Sequence, residues 1–336
     1  PSLYTMSTKT NSPVKKQHGM RFTLVITMIA ALAGILSSST AKAQTIYGDA
    51  GQIYVTSNNT VKWYNQDGSG GTTVTVGGPN NPKGLQVVSS TGKLYVANQG
   101  PGGNNGFVSK YPDSNVYIGG VPPIWDVAVA GTSIYVTWNT GTVSFPTGII
   151  GQYTNNSFVR QITTGLNDPR GIAVDGSGNV YVANYGSGTI GKYTANLVLV
   201  SSSFVTGLSN PEGLAIDASG NIYVSSLSGN TISKYDSSGS LIVGFSITGL
   251  DAPSTIALDG TGNLFVSNSG SGVVGKYNTA TGATINASFI TGISGLTAVT
   301  VSTPIAVPEP SSVALLCIGG LAFLAWRNRR TFRAMR

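Results

Sequence analysis

The residues of this chain that could take part in chemistry recur at a regular place in the sequence. Lys83, Arg170 and Glu212 each lie between a proline and a glycine, at intervals of about 42 residues or about twice that length. Two cations and a carboxylate brought together by a repeating fold could hold a charged or polyhydroxylated ligand. Asn184 and Asn268 follow strand-like segments of the same repeat and could add amide hydrogen bonds. The alternative is a solvated ring of charges with a weak Arg170–Glu212 ion pair.

Two of the loops between the repeated segments are longer than the others, and the second of them contains aromatic side chains. One loop covers 99–106 and is rich in Gly and Asn, and the other covers 138–150. Aromatic rings beside Asn and Gly suit stacking against sugars, although padding of a loop is an equal alternative. The predicted ligand-binding residues are therefore Lys83, Trp138, Phe145, Arg170, Asn184, Glu212 and Asn268.

The cysteine and histidine counts limit the chemistry between residues 44 and 303. The chain has one cysteine, Cys317, and one histidine, His18, and both lie outside that segment. The segment therefore has no thiol, no imidazole and no disulfide, which excludes a Ser-His-Asp triad, a Cys-His pair and a histidine- or cysteine-based zinc site. We expect no catalytic residue, no metal and no cofactor there.

The same segment is built from a repeat of about 42 residues. An aromatic–valine pair recurs at Tyr54, Tyr95, Tyr135, Tyr181, Tyr223 and Phe265. In the three clearest units, a Pro-x-Gly or similar opening and a short apolar stretch lead through an Asp-x-x-Gly-Asn turn into that pair. Short β-branched strands with this period are typical of propeller blades. Over about residues 44–301 the units resemble the NHL repeat, which implies a ring of four-stranded sheets.

The two ends of the repeat region complete each other. The first unit lacks an opening strand, and the segment 292–301 looks like an opening strand with nothing after it. Pairing the two gives a sixth blade and leaves no inner edge open. We therefore predict an all-β, six-bladed propeller over 44–303, closed by its N- and C-terminal strands. The variable position after the proline is predicted to be Lys83, Ile124, Arg170, Glu212, Ser254 and, by register, Leu296.

The first 43 residues have the pattern of a removable secretion signal. Basic residues precede the apolar stretch 22–36, and the small-x-small sequence from Ala41 to Ala43 follows it. This pattern predicts cleavage by signal peptidase between Ala43 and Gln44. The domain would then be exported through the inner membrane.

Residues 304–336 have the pattern of a second address signal. The triplet Pro308, Glu309 and Pro310 precedes an apolar run over 313–326, which is shorter than the ~20 residues of a comfortable membrane span. The basic residues that follow begin with Arg327, Arg329 and Arg330. These features resemble the PEP-CTERM sorting signal of exopolysaccharide-producing Gram-negative bacteria. The resemblance implies export, a transient membrane anchor formed by a C-terminal helix, and processing by an exosortase. An anchor that is never cut is the alternative.

The formal charge of +7 belongs to the two ends of the chain. Five Lys and Arg residues lie in 1–43 without any acidic residue, and the tail holds five against one. The segment between them is mildly acidic, so the main electrostatic argument for nucleic-acid binding is lost. We expect no nucleic-acid partner.

Three functions are compatible with these patterns. The first is a binding module displayed at the cell surface or in the extracellular matrix, with exopolysaccharide or another envelope protein as its partner. The second is a lyase or lactonase-type hydrolase, because enzymes with streptogramin-lyase-like and gluconolactonase-like propellers share the predicted fold. A gluconolactonase-like site would use Glu212 with Asn184 and Asn268. The third is a purely structural matrix protein, and the fold alone does not decide between the three.

Overall fold

A computed structural model describes residues 51–74, 81–101, 105–112, 116–139 and 148–303. The chain divides into two compact units, Pro1–Ile46 and Tyr47–Arg336, and the described residues all belong to the second. Within the described ranges there is no helix long and apolar enough to cross a membrane. The predicted signal-cleavage residues Ala41, Ala43 and Gln44 lie outside the described residues, as do the sorting residues from Pro308 to Arg330.

The described chain forms six four-stranded antiparallel sheets, which are the blades of a propeller. The first three blades contain β1 (Ile53–Ser57), β2 (Thr60–Tyr64), β3 (Gly70–Val74), β4 (Pro82–Val88), β5 (Lys93–Asn98), β6 (Gly106–Tyr111), β7 (Val116–Val121), β8 (Ile124–Ala130), β9 (Ser133–Asn139), β10 (Gly148–Thr154) and β11 (Ser157–Ile162). The other three blades contain β12 (Pro169–Val174), β13 (Val180–Asn184), β14 (Thr189–Tyr193), β15 (Leu199–Val205), β16 (Pro211–Ile216), β17 (Ile222–Ser226), β18 (Thr231–Tyr235), β19 (Leu241–Ile247), β20 (Pro253–Leu258), β21 (Asn263–Asn268), β22 (Val273–Asn278) and β23 (Thr284–Ile290). The last strand, β24 (Leu296–Val301), belongs to the first blade.

The ring is closed by the last strand of the chain, as the sequence predicts. β24 pairs antiparallel with β1, so the first sheet has the order β24-β1-β2-β3. Leu296 and Val299 are 1% and 2% exposed, and they pack in one cluster with Phe265 and Ile290 of the sixth blade. The prediction of an all-β propeller with six blades is therefore confirmed for the described residues.

The hydrophobic core lies between the blades rather than inside any one of them. The second strand of each blade is buried along almost its whole length, because a neighbouring sheet covers each of its faces. One such cluster joins Tyr181 and Ile190 of the fourth blade to Leu214 and Ile222 of the fifth. Burial on both faces explains why these strands are nearly continuous apolar runs instead of alternating ones.

Two faces of the ring are distinguished by the direction of the inner strands. These strands, β24, β4, β8, β12, β16 and β20, line the central channel. We call the face where they begin, at residues such as Pro169 and Pro211, the near face. The face where they end, at the turns after Val174 and Ile216, is the far face.

The far-face turns are held by aspartate side chains. Asp175 Oδ1 accepts hydrogen bonds from the backbone N–H groups of Ser177 and Asn179, at 2.9 and 2.8 Å. Its Oδ2 accepts from the side chains of Asn179 and Tyr181. Asp217 and Asp259 make the same backbone bonds in the next two blades. The repeated Asp is therefore explained by turn formation.

The glycine of the Pro-x-Gly sequence allows neighbouring inner strands to approach each other closely. A Cβ atom on Gly171 would lie 2.1 Å from the carbonyl oxygen of Glu212 in the next blade, and one on Gly213 would lie 2.3 Å from that of Ser254. Neither glycine has a positive φ, so packing rather than backbone conformation requires them. The contact brings the residues after each proline together around the channel.

Substitution of Gly213 by alanine tests this contact. Because the new methyl group would overlap a backbone carbonyl, we expect Gly213→Ala to lower the free energy of unfolding by about 1–3 kcal/mol. Gly176→Ala is the control, since a Cβ atom there meets no atom within 4 Å. Thermal or denaturant unfolding of the two variants is the measurement. Equal stability of both variants would contradict the close-packing explanation.

Candidate functional site

Six side chains, one from each blade, surround the near mouth of the channel. They are Lys83, Trp125, Arg170, Glu212, Ser254 and Thr297, and they line an open cavity of ≈160 Å³. Each stands at the second residue of an inner strand, so the repeat places the six positions in one ring. We call this set the mouth ring.

Two members of the mouth ring differ from the sequence prediction by one residue. Ile124 pairs with Trp138, just as Pro169 pairs with Asn184, and it is 0% exposed. Ile124 therefore occupies the proline position, and Trp125 occupies the variable one. The prediction was misled by the proline that precedes Ile124, whereas strand pairing sets the register. The same shift of one residue makes Leu296 a core residue and puts Thr297 in the mouth ring.

Arg170 is held by two carboxylates and two aromatic rings. Its Nη1 donates to Glu212 Oε2 at 3.1 Å, and its Nη2 lies 3.5 Å from Asp168 Oδ2. The guanidinium carbon is 4.3 Å from the centre of the Trp125 ring and 3.3 Å from that of Tyr185. A planar cation between two aromatic faces and two carboxylates is well stabilised, because Arg suits both stacking and ion pairing.

Asp168 reaches Arg170 because of an unusual backbone conformation before the proline. Its φ is 50°, in the left-handed region, and its carbonyl accepts a hydrogen bond from the N–H of Tyr185 at 3.0 Å. The turn therefore holds one carboxylate and one aromatic ring against the same guanidinium. Few non-glycine residues adopt this conformation, and Asp is among those that tolerate it best.

Glu212 and Lys83 are both partly withdrawn from water. Burial raises the pKa of Glu212, although Arg170 opposes this by favouring the carboxylate. Burial lowers the pKa of Lys83, and the charge of Glu212 partly offsets the effect. Lys83 Nζ lies 5.7 Å from the centre of the Trp125 ring. Among the residues that the structure describes, no carboxylate lies within ion-pair distance of it.

A second carboxyl group, Asp126, lies at the same mouth. It lines both the mouth cavity and the channel beneath it. Oδ2 accepts a hydrogen bond from the N–H of Ile172 at 3.1 Å, and Oδ1 accepts one from the N–H of Val127 at 2.9 Å. Burial raises the pKa of Asp126 to about 7 despite these two bonds. Sequence reasoning missed this group, although an Asp at a position that is glycine in three other blades was a usable signal.

The structure separates the remaining predicted residues from the mouth ring. Trp138 is 2% exposed and packs in the cluster between the second and third blades, so it cannot stack against a ligand at the mouth. Asn184 is 1% exposed; it accepts from the N–H of Asn167 and donates to the carbonyl of Gly165. Asn268, 4% exposed, accepts from the N–H of Asp251.

Both asparagines therefore hold near-face loops rather than face the cavity. Phe145, the other predicted aromatic residue, lies outside the described residues. Lys83, Arg170 and Glu212 are the predicted residues that the structure brings together. Nowhere in the described ranges do three His, Cys, Asp or Glu side chains lie close enough together to hold a metal ion.

The fold and the mouth define a six-bladed β-propeller with a polar, asymmetric channel opening. Comparison with protein families agrees: an NHL repeat matches residues 166–193, and the strictosidine synthase-like N-terminal domain matches 191–232. The PEP-CTERM protein-sorting motif matches residues 306–330. The chain is thus an NHL-repeat-like propeller with a PEP-CTERM sorting signal. No curated protein matches it in sequence.

Solved structures with the same fold are distant in sequence. A chain in the crystal structure of the nidogen/laminin complex is 14% identical, with a TM-score of 0.61, over 76% of this chain and 100% of that chain. A protein of unknown function from Bacteroides caccae is 12% identical, with a TM-score of 0.57, over 75% and 99% of the two chains. A functionally unknown protein from Desulfotomaculum acetoxidans is 14% identical, with a TM-score of 0.54, over 76% and 100%. These similarities show the fold alone.

The raised pKa values of Asp126 and Glu212 predict how stability changes with pH. Folded Asp126 keeps its proton between about pH 4 and 7, where the unfolded chain has released it, and the raised pKa of Glu212 acts in the same direction. Stability should therefore fall as the pH rises through this window. Below about pH 4 the far-face aspartates act in the opposite direction, because their turn bonds lower the pKa values of Asp175 and Asp259.

We accordingly expect the melting temperature to be highest near pH 4–5 and to decrease towards pH 7.5. Asp126→Asn should make the melting temperature depend less on pH between pH 5 and 7.5, even if the substitution also raises or lowers the melting temperature as a whole. Asp175→Asn on the far face should leave the slope between pH 5 and 7.5 unchanged. Melting curves recorded at several pH values would measure both slopes. A wild-type profile that rises over this range would contradict the assignment.

Proposed function

We propose that this protein is an exported, exosortase-processed binding module of the cell envelope or extracellular matrix, and that its ligand binds at the mouth ring. The PEP-CTERM motif at residues 306–330 implies export, sorting to the cell surface and processing by exosortase. The binding role and its location are our inference from the propeller and its mouth.

The proposal rests on one observation: the positions of the mouth ring are equivalent in the six blades, but their side chains differ in chemistry. The six inner strands are equivalent in the ring, yet the mouth ring contains a different residue type in every blade. At the far face, by contrast, three blades repeat the same Asp-held turn with the same hydrogen bonds. A position with only a structural role tends to repeat, whereas a ligand without sixfold symmetry needs different partners. The mouth ring has the pattern expected of a binding site.

The position of the first and last described residues supports the same proposal. Gly51 N–H donates to the carbonyl of Ser302, and Thr303 N–H donates to Ser89 Oγ in the far-face turn that follows β4. Thr303 also lines the far mouth, and the sorting motif begins a few residues later in the sequence. A tether on the far face would leave the mouth ring on the side that points away from the membrane.

A structural role in the matrix is the second candidate, and one observation favours it. The outermost strands of blades three to six expose several apolar side chains, including Phe158, Val200, Leu241, Val243 and Ile285. Arg160 is the single charged residue in these four strands. Exposed edge strands with few charges favour association between copies.

The hydrolase or lactonase alternative receives less support from the described residues. A site of that kind would bring Glu212 together with Asn184 and Asn268. Instead, the two amide side chains bond to the backbone of near-face loops. Glu212 is itself occupied by Arg170 through one carboxylate oxygen.

Processing can be tested on the protein exported by a host with an exosortase. We expect the mature chain to start at Gln44, after the Ala41–Ala43 cleavage sequence, and to lack the C-terminal segment from Arg327 onwards. Intact-mass analysis measures both ends at once. Substitution of the Pro308–Pro310 triplet by alanine should leave the tail attached. A stable exported species that still carries the tail in the wild type would contradict the exosortase step.

Binding at the mouth ring can be located by hydrogen exchange. Once an array of glycans and envelope proteins has provided a ligand, we expect protection in the loop 185–189 and at the start of β4, on the near face. Lys83→Ala should weaken binding about tenfold or more, because it removes a charged hydrogen-bond donor. Asp217→Ala on the far face is the control and should leave the affinity unchanged. Protection confined to the outermost strands, together with self-association lost in Val243→Lys, would favour the structural role.

A further inference from the structure

The two cations of the mouth ring differ in their availability to a ligand. Arg170 donates to Glu212 and approaches Asp168, and its flat faces are covered by Trp125 and Tyr185. A ligand anion would have to displace these partners. Arg170 is therefore part of the frame of the site rather than a group that grips a ligand.

Lys83 is the cation that remains available. Its ammonium group lies near the ring of Trp125, and no carboxylate in the described ranges lies within 4 Å of its Nζ. Because the side chain is partly buried, an anion placed beside it would be poorly screened by water and correspondingly well held. The blade-two side of the mouth thus presents one unpaired positive charge.

The opposite side of the mouth presents hydrogen-bond acceptors. Glu212 uses Oε2 for Arg170, and no hydrogen bond within the described residues reaches its Oε1. The hydroxyl groups of Ser254, Ser269 and Thr297 donate to the carbonyls of Thr297, Ala252 and Pro82, respectively. Ser254 Oγ also contacts Ser267 Oγ at 2.8 Å, and Thr297 Oγ1 contacts Thr56 Oγ1, so each of these two hydroxyls keeps one lone pair for a ligand. Blades five, six and one therefore offer oxygen acceptors to a ligand that carries hydroxyl donors.

One anionic group and several hydroxyl donors on a small ring describe a sugar acid. The geometry points to a uronic acid residue as the ligand of the mouth ring, with its carboxylate at Lys83 and its hydroxyl groups towards Glu212, Ser254 and Thr297. This inference rests on the proposed binding function and narrows it to one chemical class. The cavity of ≈160 Å³ is below the ~300–1,000 Å³ of drug-sized ligand sites, which suits a single sugar residue or the end of a chain.

The charges at the mouth also disfavour neutral sugars and phosphorylated ligands. A neutral sugar would leave Lys83 desolvated without a partner. A phosphate dianion would place a second negative charge near Glu212 and Asp126, where no further free cation is described to balance it. A sulfate ester carries the same single charge as a carboxylate, so the experiment must separate these two.

The test is calorimetric titration of the exported, processed protein with defined oligosaccharides. The probes are trimers of galacturonate, glucuronate, mannuronate and guluronate, their carboxyl-reduced neutral counterparts, and a sulfated neutral trimer. We expect at least one uronate trimer to bind at least tenfold more tightly than its reduced counterpart, with an affinity that falls as salt is added. Lys83→Met should abolish this difference, and Lys83→Arg should retain most of it. Lys93→Met, at the far-face end of β5, is the control: it also removes one positive charge, and it should leave the affinity for both kinds of trimer unchanged.

The outcomes separate the two levels of the proposal. Equal binding of acidic and reduced trimers at the mouth would overturn the uronate assignment and leave the binding function intact. Tighter binding of the sulfated trimer would likewise overturn the carboxylate assignment. If Lys83→Met keeps the wild-type melting temperature and still binds a uronate trimer as tightly as the wild type does, the mouth ring is not the binding site. In that case both the uronate assignment and the proposed site of binding are wrong. If the wild type binds none of the trimers and instead binds another ligand through the far face, the proposed function fails as well.

Discussion

The close approach of neighbouring inner strands is the constraint on which the rest of this propeller depends. Where Gly171 and Gly213 face the carbonyl groups of the next blade, there is no room for a side chain. Six strands can converge on a narrow channel only if such contacts are made, and the residues that follow the prolines are then forced to share one mouth. The binding ring is therefore a geometric consequence of how the blades pack.

Side chains, rather than backbone ladders, complete the contacts between inner strands. Ser225 donates to the carbonyl of Ser254, Ser254 donates to that of Thr297, and Thr297 donates to that of Pro82, so a chain of hydroxyl bonds crosses three blade junctions. The fourth blade has Ala183 at the position of Ser225 and cannot make this bond. At that junction the Arg170–Glu212 pair joins the two blades instead. A partly buried ion pair of this kind orients its partners more surely than it stabilises the fold.

The fold could be predicted from the sequence because its units repeat. The site was harder to predict because its residues differ from blade to blade. Blade number and closure follow from a period, a missing strand at one end and a spare strand at the other. The errors arose where a local signal competed with pairing: a proline before Ile124 shifted the predicted ring by one residue. Trp138 was taken for a loop residue, yet strand β9 continues through it and buries it against Gly151. Asp126 was missed: the sequence shows an Asp where three other blades have glycine, but neither its burial nor its hydrogen bond from Ile172 N–H, which belongs to another blade.

The arrangement around Trp125 explains how two cations can lie at one small mouth. The indole faces approach both the Lys83 ammonium and the Arg170 guanidinium, which softens their mutual repulsion. Glu212 and Asp168 carry two negative charges against the single positive charge of Arg170, so together with Lys83 the four groups sum to zero. Lys83 is the cation that no carboxylate among the described residues pairs with. Asp126 lies at the base of this mouth with a pKa raised to about 7 by burial, and it therefore gains its charge near neutral pH. The charges of the mouth cancel when Asp126 is protonated and leave one net negative charge when it is ionised, so an anion should be repelled less, and held more tightly by Lys83, as the surroundings become mildly acidic.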